Sequence, residues 1–268
     1  MSQKLTGAGR FIPSSACYWL PKARSHKLLV PSTRFVNVPS DYLAVVGGDE
    51  HIRPDTARHW SDAISRIHAA AMTIGGYPVF LRTDLASAKH SGPAAYRIEK
   101  RERIDPAMRE TLEDNELKWL NPYAFLVRKW LNLEFAFVAF DGHPIAREWR
   151  FFATKDRIVC RHFYWPEDSI RFYHGIIEPA GWKAALAHFS SEAPPSELDA
   201  VALKFAAVCD RASMWSVDFA KARDGKWWFI DAAVAEDSAH PWDGCELPNN
   251  EKHRQHATDV AGTPSEEP

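Results

Sequence analysis

The sequence predicts an α+β protein of two lobes with mainly antiparallel sheets, and three observations carry that expectation. Expected strands outnumber expected helices, their alternation is irregular, and turn signals such as Asp141-Gly142 and Arg223-Asp224-Gly225 join neighbouring strands directly. At 268 residues the chain stands near the upper limit of what one hydrophobic core serves, so one compact unit of two lobes follows. Its 46% hydrophobic and 25% charged residues exclude a collagenous, coiled-coil or wholly disordered chain.

Pro13, Pro21, Pro31 and Pro39 punctuate the first fifty residues and leave three short apolar runs as expected strands: Leu28-Leu29-Val30, Arg34-Phe35-Val36 and Tyr42-Leu43-Ala44-Val45-Val46. Asp55 is a good helix N-cap. After it, Ala57, Trp60, Ile64, Ile67, His68 and Ala71 recur at helical spacing until Gly75-Gly76 stops the run. A strand over 77–81 then leads into a polar loop of small residues from Arg82 to Pro93. Pro106 opens a helix that reaches Leu117. Strands are expected over 125–130, 134–140, 144–154 and 157–164, with Asp141-Gly142 as the strongest hairpin signal. Two helices follow over 181–189 and 196–211. Leu198, Val201, Phe205, Val208 and Cys209 line one face of the second. Strands over 215–220 and 226–233 form a hairpin, and from Glu251 periodicity is lost. The expected divisions are an N-terminal α/β lobe region over 1–76, a core over 77–250 and a disordered tail over 251–268.

Charge and composition narrow the partners. Lys and Arg total 33 against 35 Asp and Glu, so nucleic acid is not an expected partner. No apolar run approaches the roughly 20 residues that cross a bilayer, so no membrane contact is expected and the cytoplasm is the expected location. Cys17, Cys160, Cys209 and Cys245 make no C-x-x-C pair and read as reduced thiols. The 12 histidines show no paired ligand spacing and read as surface or packed residues. P-loop, G-x-G-x-x-G, H-E-x-x-H, G-x-S-x-G and K-x-D-G signatures are absent.

Three features remain. A strand ending in Arg82 runs into a small-residue loop carrying Lys89, where backbone N–H groups and two cations suit phosphate oxygens. Leu126-Val127-Arg128-Lys129-Trp130-Leu131, followed by Glu134, is an apolar strand ending in a polar-aromatic hinge suited to a purine, although a half-exposed sheet explains the same letters. Asp218 and Asp231 lie across from each other, or nearly so, on the last hairpin. Isolated carboxylates in apolar strands are costly to bury unless a cation or arginine pairs with them, and two that face each other repel. A divalent metal reverses that sign, and a metal site is the expectation here over two acids solvated at the strand ends.

In this order the features resemble the ATP-grasp superfamily over residues 77 to 245. More narrowly they are similar to the phage and bacterial branch named for one arginine and two lysines, and to the D123-type (cell-division-cycle) assembly chaperones of translation initiation factor 2. The resemblance implies an ATP-grasp fold with nucleotide between the lobes. It implies that Arg82 and Lys89 touch the phosphates; the residues around Lys89, Ala86-Ser87-Ala88 and Ser91-Gly92-Pro93, are small and lack an apolar anchor, which predicts a mobile lid. Arg128, Lys129, Trp130, Leu131 and Glu134 would form the adenine hinge. Glu148-Trp149-Arg150-Phe151-Phe152 is similar to a strand whose arginine faces the phosphates, and Asp218 and Asp231 would hold magnesium. One position departs from the pattern: Ala233 stands where the family usually has a second ligand, asparagine, and Glu236 or Asp237 are the nearby substitutes.

The implied activity is an ATP- and magnesium-dependent carboxylate–amine ligase working through an acyl phosphate, with Arg150 and Lys89 as its catalytic cations. Its partners would be nucleotide and an unidentified small-molecule or protein carboxylate, in the host cytoplasm if the chain is phage-encoded. The rival readings are a non-enzymatic ATP-binding assembly chaperone with a protein partner, and a degenerate fold that has lost the nucleotide.

Overall fold

The structure, a computed structural model, describes residues 11–48, 51–87, 89, 92–140, 142–172 and 176–240. Asp141 of the hairpin signal, Ala88 and His90 of the small-residue loop, Cys245 and the expected tail lie outside the described residues.

In chain order the elements are α1 (Ala16–Ser25), β1 (Thr33–Asn37), α2 (Tyr42–Val46), α3 (Pro54–Thr73), β2 (Val79–Thr83), α4 (Pro93–Tyr96), β3 (Arg97–Ile98), α5 (Ile104–Leu117) and β4 (Ala124–Lys129). They continue with β5 (Phe135–Ala139), β6 (His143–Ala146), β7 (Glu148–Ala153), β8 (Ile158–Phe163), α6 (Trp182–Ser191), α7 (Glu197–Val208), β9 (Trp215–Lys221) and β10 (Trp227–Val234). The fold is α+β, as expected, and every strand pairing among the named strands is antiparallel.

The first sheet has the order β1-β4-β2-β3 and the second β10-β9-β7-β8, while β5 and β6 form a separate hairpin. Each sheet buries its own core. Ile67, Val79, Leu81, Met108, Leu112 and Val127 pack α3 and α5 onto the first. Trp19, Phe205, Trp215, Phe219 and Phe229 join α1 and α7 to the second. A third cluster of Phe137, Trp165, Trp182 and Leu186 seats α6 on the β5–β6 hairpin. Buried Asp84 stitches the lobes: its carboxylate accepts from the Ser15 hydroxyl at 2.6 Å and from the Tyr123 and Ala124 amides at 2.9 and 3.1 Å. That fixes the start of α1 against β4, and a carboxylate so supplied with donors is stable without water.

Several local expectations are corrected. Residues 42–46 form a helix, not a strand, because Tyr42 and Val45, one turn apart, are the residues buried in the first core. An unbroken apolar run gives no period by which sequence separates the two. Leu28-Leu29-Val30 is no strand, although the Leu29 carbonyl accepts from the Phe229 amide at 2.9 Å. Helix α3 is capped at Arg53 with Pro54 in its first turn, so Asp55 lies inside the helix rather than before it. The expected strand over 144–154 breaks at Arg147, where the chain passes from the hairpin into the second sheet. There the Arg147 amide donates to Glu134 and its carbonyl accepts from Lys221, at 2.8 and 2.9 Å.

A bulge sets the register of the last hairpin. Phe229 pairs with Phe219 and Asp231 with Asp218, so Ile230 is the extra residue. Without it, Ile230 would stand opposite Asp218 and every later side chain of β10 would change face.

Phe229 is 1% exposed and its ring contacts those of Trp19, Phe205 and Phe219. Phe229→Ala is expected to cost about 3–5 kcal/mol of unfolding free energy, measured by denaturant titration, because the three surrounding rings cannot collapse into the space.

Candidate functional site

A cavity of about 370 Å³ opens between the two sheets. Its floor is charged: Arg82 and Arg128 rise from β2 and β4, Lys89 from the loop after β2, Glu148 from β7 and Asp231 from β10. Its walls are aromatic and apolar, with Phe80, Tyr96, Trp130, Leu131 and Leu133 among them. The Tyr96 and Trp130 rings lie 6.4 Å apart and within 3° of parallel, and Arg97 sits 5.0 Å over the Trp130 ring. A flat apolar wall beside a cationic floor suits a ligand with an aromatic head and an anionic tail.

Alternation explains why β2 and β4 point cations into the cleft. Leu81 and Val127 turn to the first core, so Arg82 and Arg128 take the opposite face, which looks towards β10. Arg82 Nη1 meets Asp231 Oδ2 at 2.6 Å, and Arg128 Nη1 donates to the Ile230 carbonyl. Both contacts cross from the first sheet to the second, and the bulge at Ile230 presents the second acceptor.

The carboxylates are all engaged. Asp218 takes both Nε and Nη2 of Arg150 at 2.8 Å, a bidentate pair between register neighbours on β7 and β9. Burial opposes the charge of Arg150, but Asp218 more than offsets it and raises the guanidinium pKa. Burial works against Asp231 too, yet Arg82 and Arg128 hold its carboxyl below the usual range. The expected repulsion between Asp218 and Asp231 is therefore relieved by arginines. Lys89 Nζ lies 3.1 and 3.4 Å from the Glu148 oxygens. It also lies 4.9 Å over the Tyr164 ring and 5.9 Å over that of Trp165. Lys89 therefore has an aromatic anchor, contrary to expectation. Burial pushes Glu148 up to about 7, with Lys89 pulling the other way.

Arg128 is the exception. It is 5% exposed, and its Nε and Nη2 are buried without a hydrogen-bond partner. Burial first, then the neighbouring Arg82, pushes its pKa down to about 9. Buried donors on a cation cost free energy unless a ligand takes them. These donors belong to a residue that lines the cavity.

Of the expected residues, Arg82, Lys89, Arg128, Lys129, Trp130, Leu131 and Asp231 line the cavity together. Arg150 and Asp218 pair beside it. Glu134 stands apart, at 3.0 Å from Arg147 and 3.5 Å from Lys221. Sequence reasoning missed Phe80, Tyr96 and His143, whose Nδ1 is 2.6 Å from the Tyr96 hydroxyl. Phe80 was legible as the alternate of Arg82, whereas nothing local marks Tyr96.

As for magnesium, Asp218 and Asp231 are hard oxygen donors at paired register positions, and two carboxylates are as many as that ion usually takes beside phosphate oxygens and water. Ala233 adds no donor, while Asp237 accepts from the Ser14 hydroxyl at 2.5 Å.

No protein-family model matches the chain, and no curated protein matches it. Solved structures do. A RimK domain ATP-grasp protein from Sphaerobacter thermophilus aligns at 13% identity and a TM-score of 0.41, over 82% of this chain and 59% of that one. The ATP-grasp ligase PsnB, complexed with a minimal precursor, aligns at 12% identity and 0.42, over 88% and 56%. An N5-carboxyaminoimidazole synthase from Aspergillus clavatus, in complex with ADP and 5-aminoimidazole ribonucleotide, aligns at 13% and 0.45, over 84% and 45%. The chain thus spans between 45% and 59% of the length of these structures. Such values carry no activity or substrate over to it.

The Lys89–Glu148 pair makes a pH-dependent expectation. The folded-state pKa of Glu148 lies above its ordinary value, so its protonation favours the folded state as pH falls through about 7. Lys89→Met leaves a buried carboxylate alone at pH 8, at an expected cost of about 3 kcal/mol. At pH 5, where Glu148 binds a proton, the loss shrinks towards zero; urea titrations at the two pH values measure it. Asp231→Asn, which leaves Arg82 without its carboxylate, is expected to lower the melting temperature of the ligand-free protein.

Proposed function

We propose that the cleft binds ATP with magnesium, and that the chain is an ATP-grasp protein acting as a carboxylate–amine ligase through an acyl phosphate. The observation that supports nucleotide binding most directly is Arg128, a buried cation with two unpartnered donors beside a cavity walled by Trp130 and Tyr96. A polyphosphate takes up those donors, and the aromatic wall takes a purine.

Asp218 and Asp231 would hold the magnesium, which when bound neutralises charge on phosphate oxygens. The other roles belong to the chain. Arg82, Lys89 and Arg150 each rest on a carboxylate. When phosphates enter, these cations turn to them, and the released carboxylates become available to metal. Placed around the terminal phosphoryl group, the same cations stabilise the charge that develops as a substrate carboxylate attacks it. ADP leaves as the acyl phosphate forms, and an amine then attacks the acyl carbon, giving the amide with release of inorganic phosphate and a proton.

One observation favours the second reading, an ATP-binding assembly factor without turnover. The carboxylates are already neutralised by arginines, and Ala233 supplies no further metal donor. ADP release that requires both a small carboxylic acid and an amine supports the ligase. ATP binding without release, alongside a stable protein partner, supports the assembly factor.

Arg128→Met separates binding from folding. The variant replaces a poorly satisfied buried cation, so its ligand-free stability is expected to equal or exceed that of the parent. Its affinity for ATP–magnesium, measured by calorimetric titration, is expected to fall by roughly thirtyfold, corresponding to about 2 kcal/mol for a charged hydrogen bond. No heat and no thermal shift with ATP–magnesium would sink the nucleotide reading.

A further inference from the structure

We propose that Cys160, His162 and His240 form a zinc site at the β8 edge of the second sheet, outside the lining of the cleft. Strand β8 is the edge strand there, and Cys160 and His162, two residues apart, project from one of its faces. His240 reaches them from the segment after β10. The three side chains each offer a donor atom, and those atoms all lie within 4.8 Å of one another.

The sulfur–nitrogen edge of the cluster fits a tetrahedral ion. Cys160 Sγ and His240 Nε2 are 3.4 Å apart. A zinc with sulfur at about 2.3 Å and nitrogen at about 2.0–2.1 Å sets that edge at about 3.5 Å. The two imidazoles stand 4.8 Å apart with planes 85° from each other, so they meet edge to face. The Phe152 ring, 4.9 Å from His240, backs the cluster with apolar surface. His162 Nε2 is buried without a hydrogen-bond partner, which a packed histidine has no reason to be.

Arg150 is the cation facing the cluster, and its charge is countered by its bidentate pair with Asp218. One thiolate and two imidazoles select zinc over magnesium or calcium, and three protein donors leave a fourth position for water. Because Ala239 already accepts from Arg150 Nη1 at 3.0 Å, zinc would also pin the chain that holds this arginine.

The test uses the full chain, stripped with a chelator, reloaded with zinc or cobalt(II) and desalted. One zinc per chain by elemental analysis is expected. With cobalt, thiolate-to-metal charge-transfer absorption and the intense visible bands of a tetrahedral site are expected. Cys160→Ser should abolish the charge-transfer band, and His240→Gln should end retention of the ion, with circular dichroism unchanged in both. Cys209→Ser, at a thiol buried elsewhere, should change neither reading. Substoichiometric zinc in the parent, or full retention with an unaltered band in Cys160→Ser, overturns the proposal. Should Cys160→Ser fail to fold, alkylation of the parent decides: zinc must protect Cys160 from iodoacetamide, and equal labelling with and without zinc overturns the site.

Discussion

The two sheets of this protein meet through buried arginines, and the cleft depends on how those charges are balanced. Arg82 on β2 crosses to Asp231 on β10, and Arg128 on β4 crosses to the Ile230 carbonyl. Within the second lobe Arg150 is clasped by Asp218, and Lys89 from the loop after β2 closes on Glu148. Four cations thus face three carboxylates, and the surplus is Arg128, whose remaining donors have no partner. Removing a charge from water costs several kcal/mol unless it is paired, so a surplus buried cation is a standing demand for an anion. The same pairs that hold the lobes together in the absence of ligand are the groups a polyphosphate would recruit. Cohesion and binding are therefore drawn from one set of contacts.

The bulge at Ile230 shows how local backbone serves that balance. It brings Asp231 opposite Asp218, beside Arg82, and offers the Ile230 carbonyl to Arg128. A regular ladder would place a hydrophobic residue at the centre of the charged floor. The zinc cluster lies on the same face of that sheet, at its β8 edge, with His162 the register partner of Arg150 and His240 one residue beyond the carbonyl that takes this arginine. Soft donors sit on the outer edge and hard donors in the cleft, so the two sites do not compete for one ion.

Much of this was legible in the sequence, for identifiable reasons. Strands with turn signals between them, such as β9 and β10 around Asp224-Gly225, declare themselves because period and turn chemistry agree. The cationic strand was legible because Arg82 interrupts an apolar alternation, and Asp218 and Asp231 because a carboxylate inside an apolar strand needs a partner. Which partner was not legible: the Arg82–Asp231 contact spans 149 residues and depends on a one-residue bulge. Tyr42 to Val46 was misread because five apolar residues in a row carry no period. Glu134 was misplaced because Arg147, where the expected strand breaks, captures it. Tyr96 and the pairing of Cys160 with His240 arise only from tertiary folding.

The most direct test of the charge balance is heteronuclear NMR of the arginine side chains, with nitrogen-15 in the guanidinium groups, recorded before and after addition of ATP–magnesium. If the cleft cations are released from carboxylates to phosphates, the Arg82, Arg128 and Arg150 signals shift together on saturation, and at least one shows scalar coupling to phosphorus-31 across a hydrogen bond. If ATP–magnesium binds while all three signals stay where they were, the arginines are purely structural ties between the sheets, and the account of the cleft given above is contradicted.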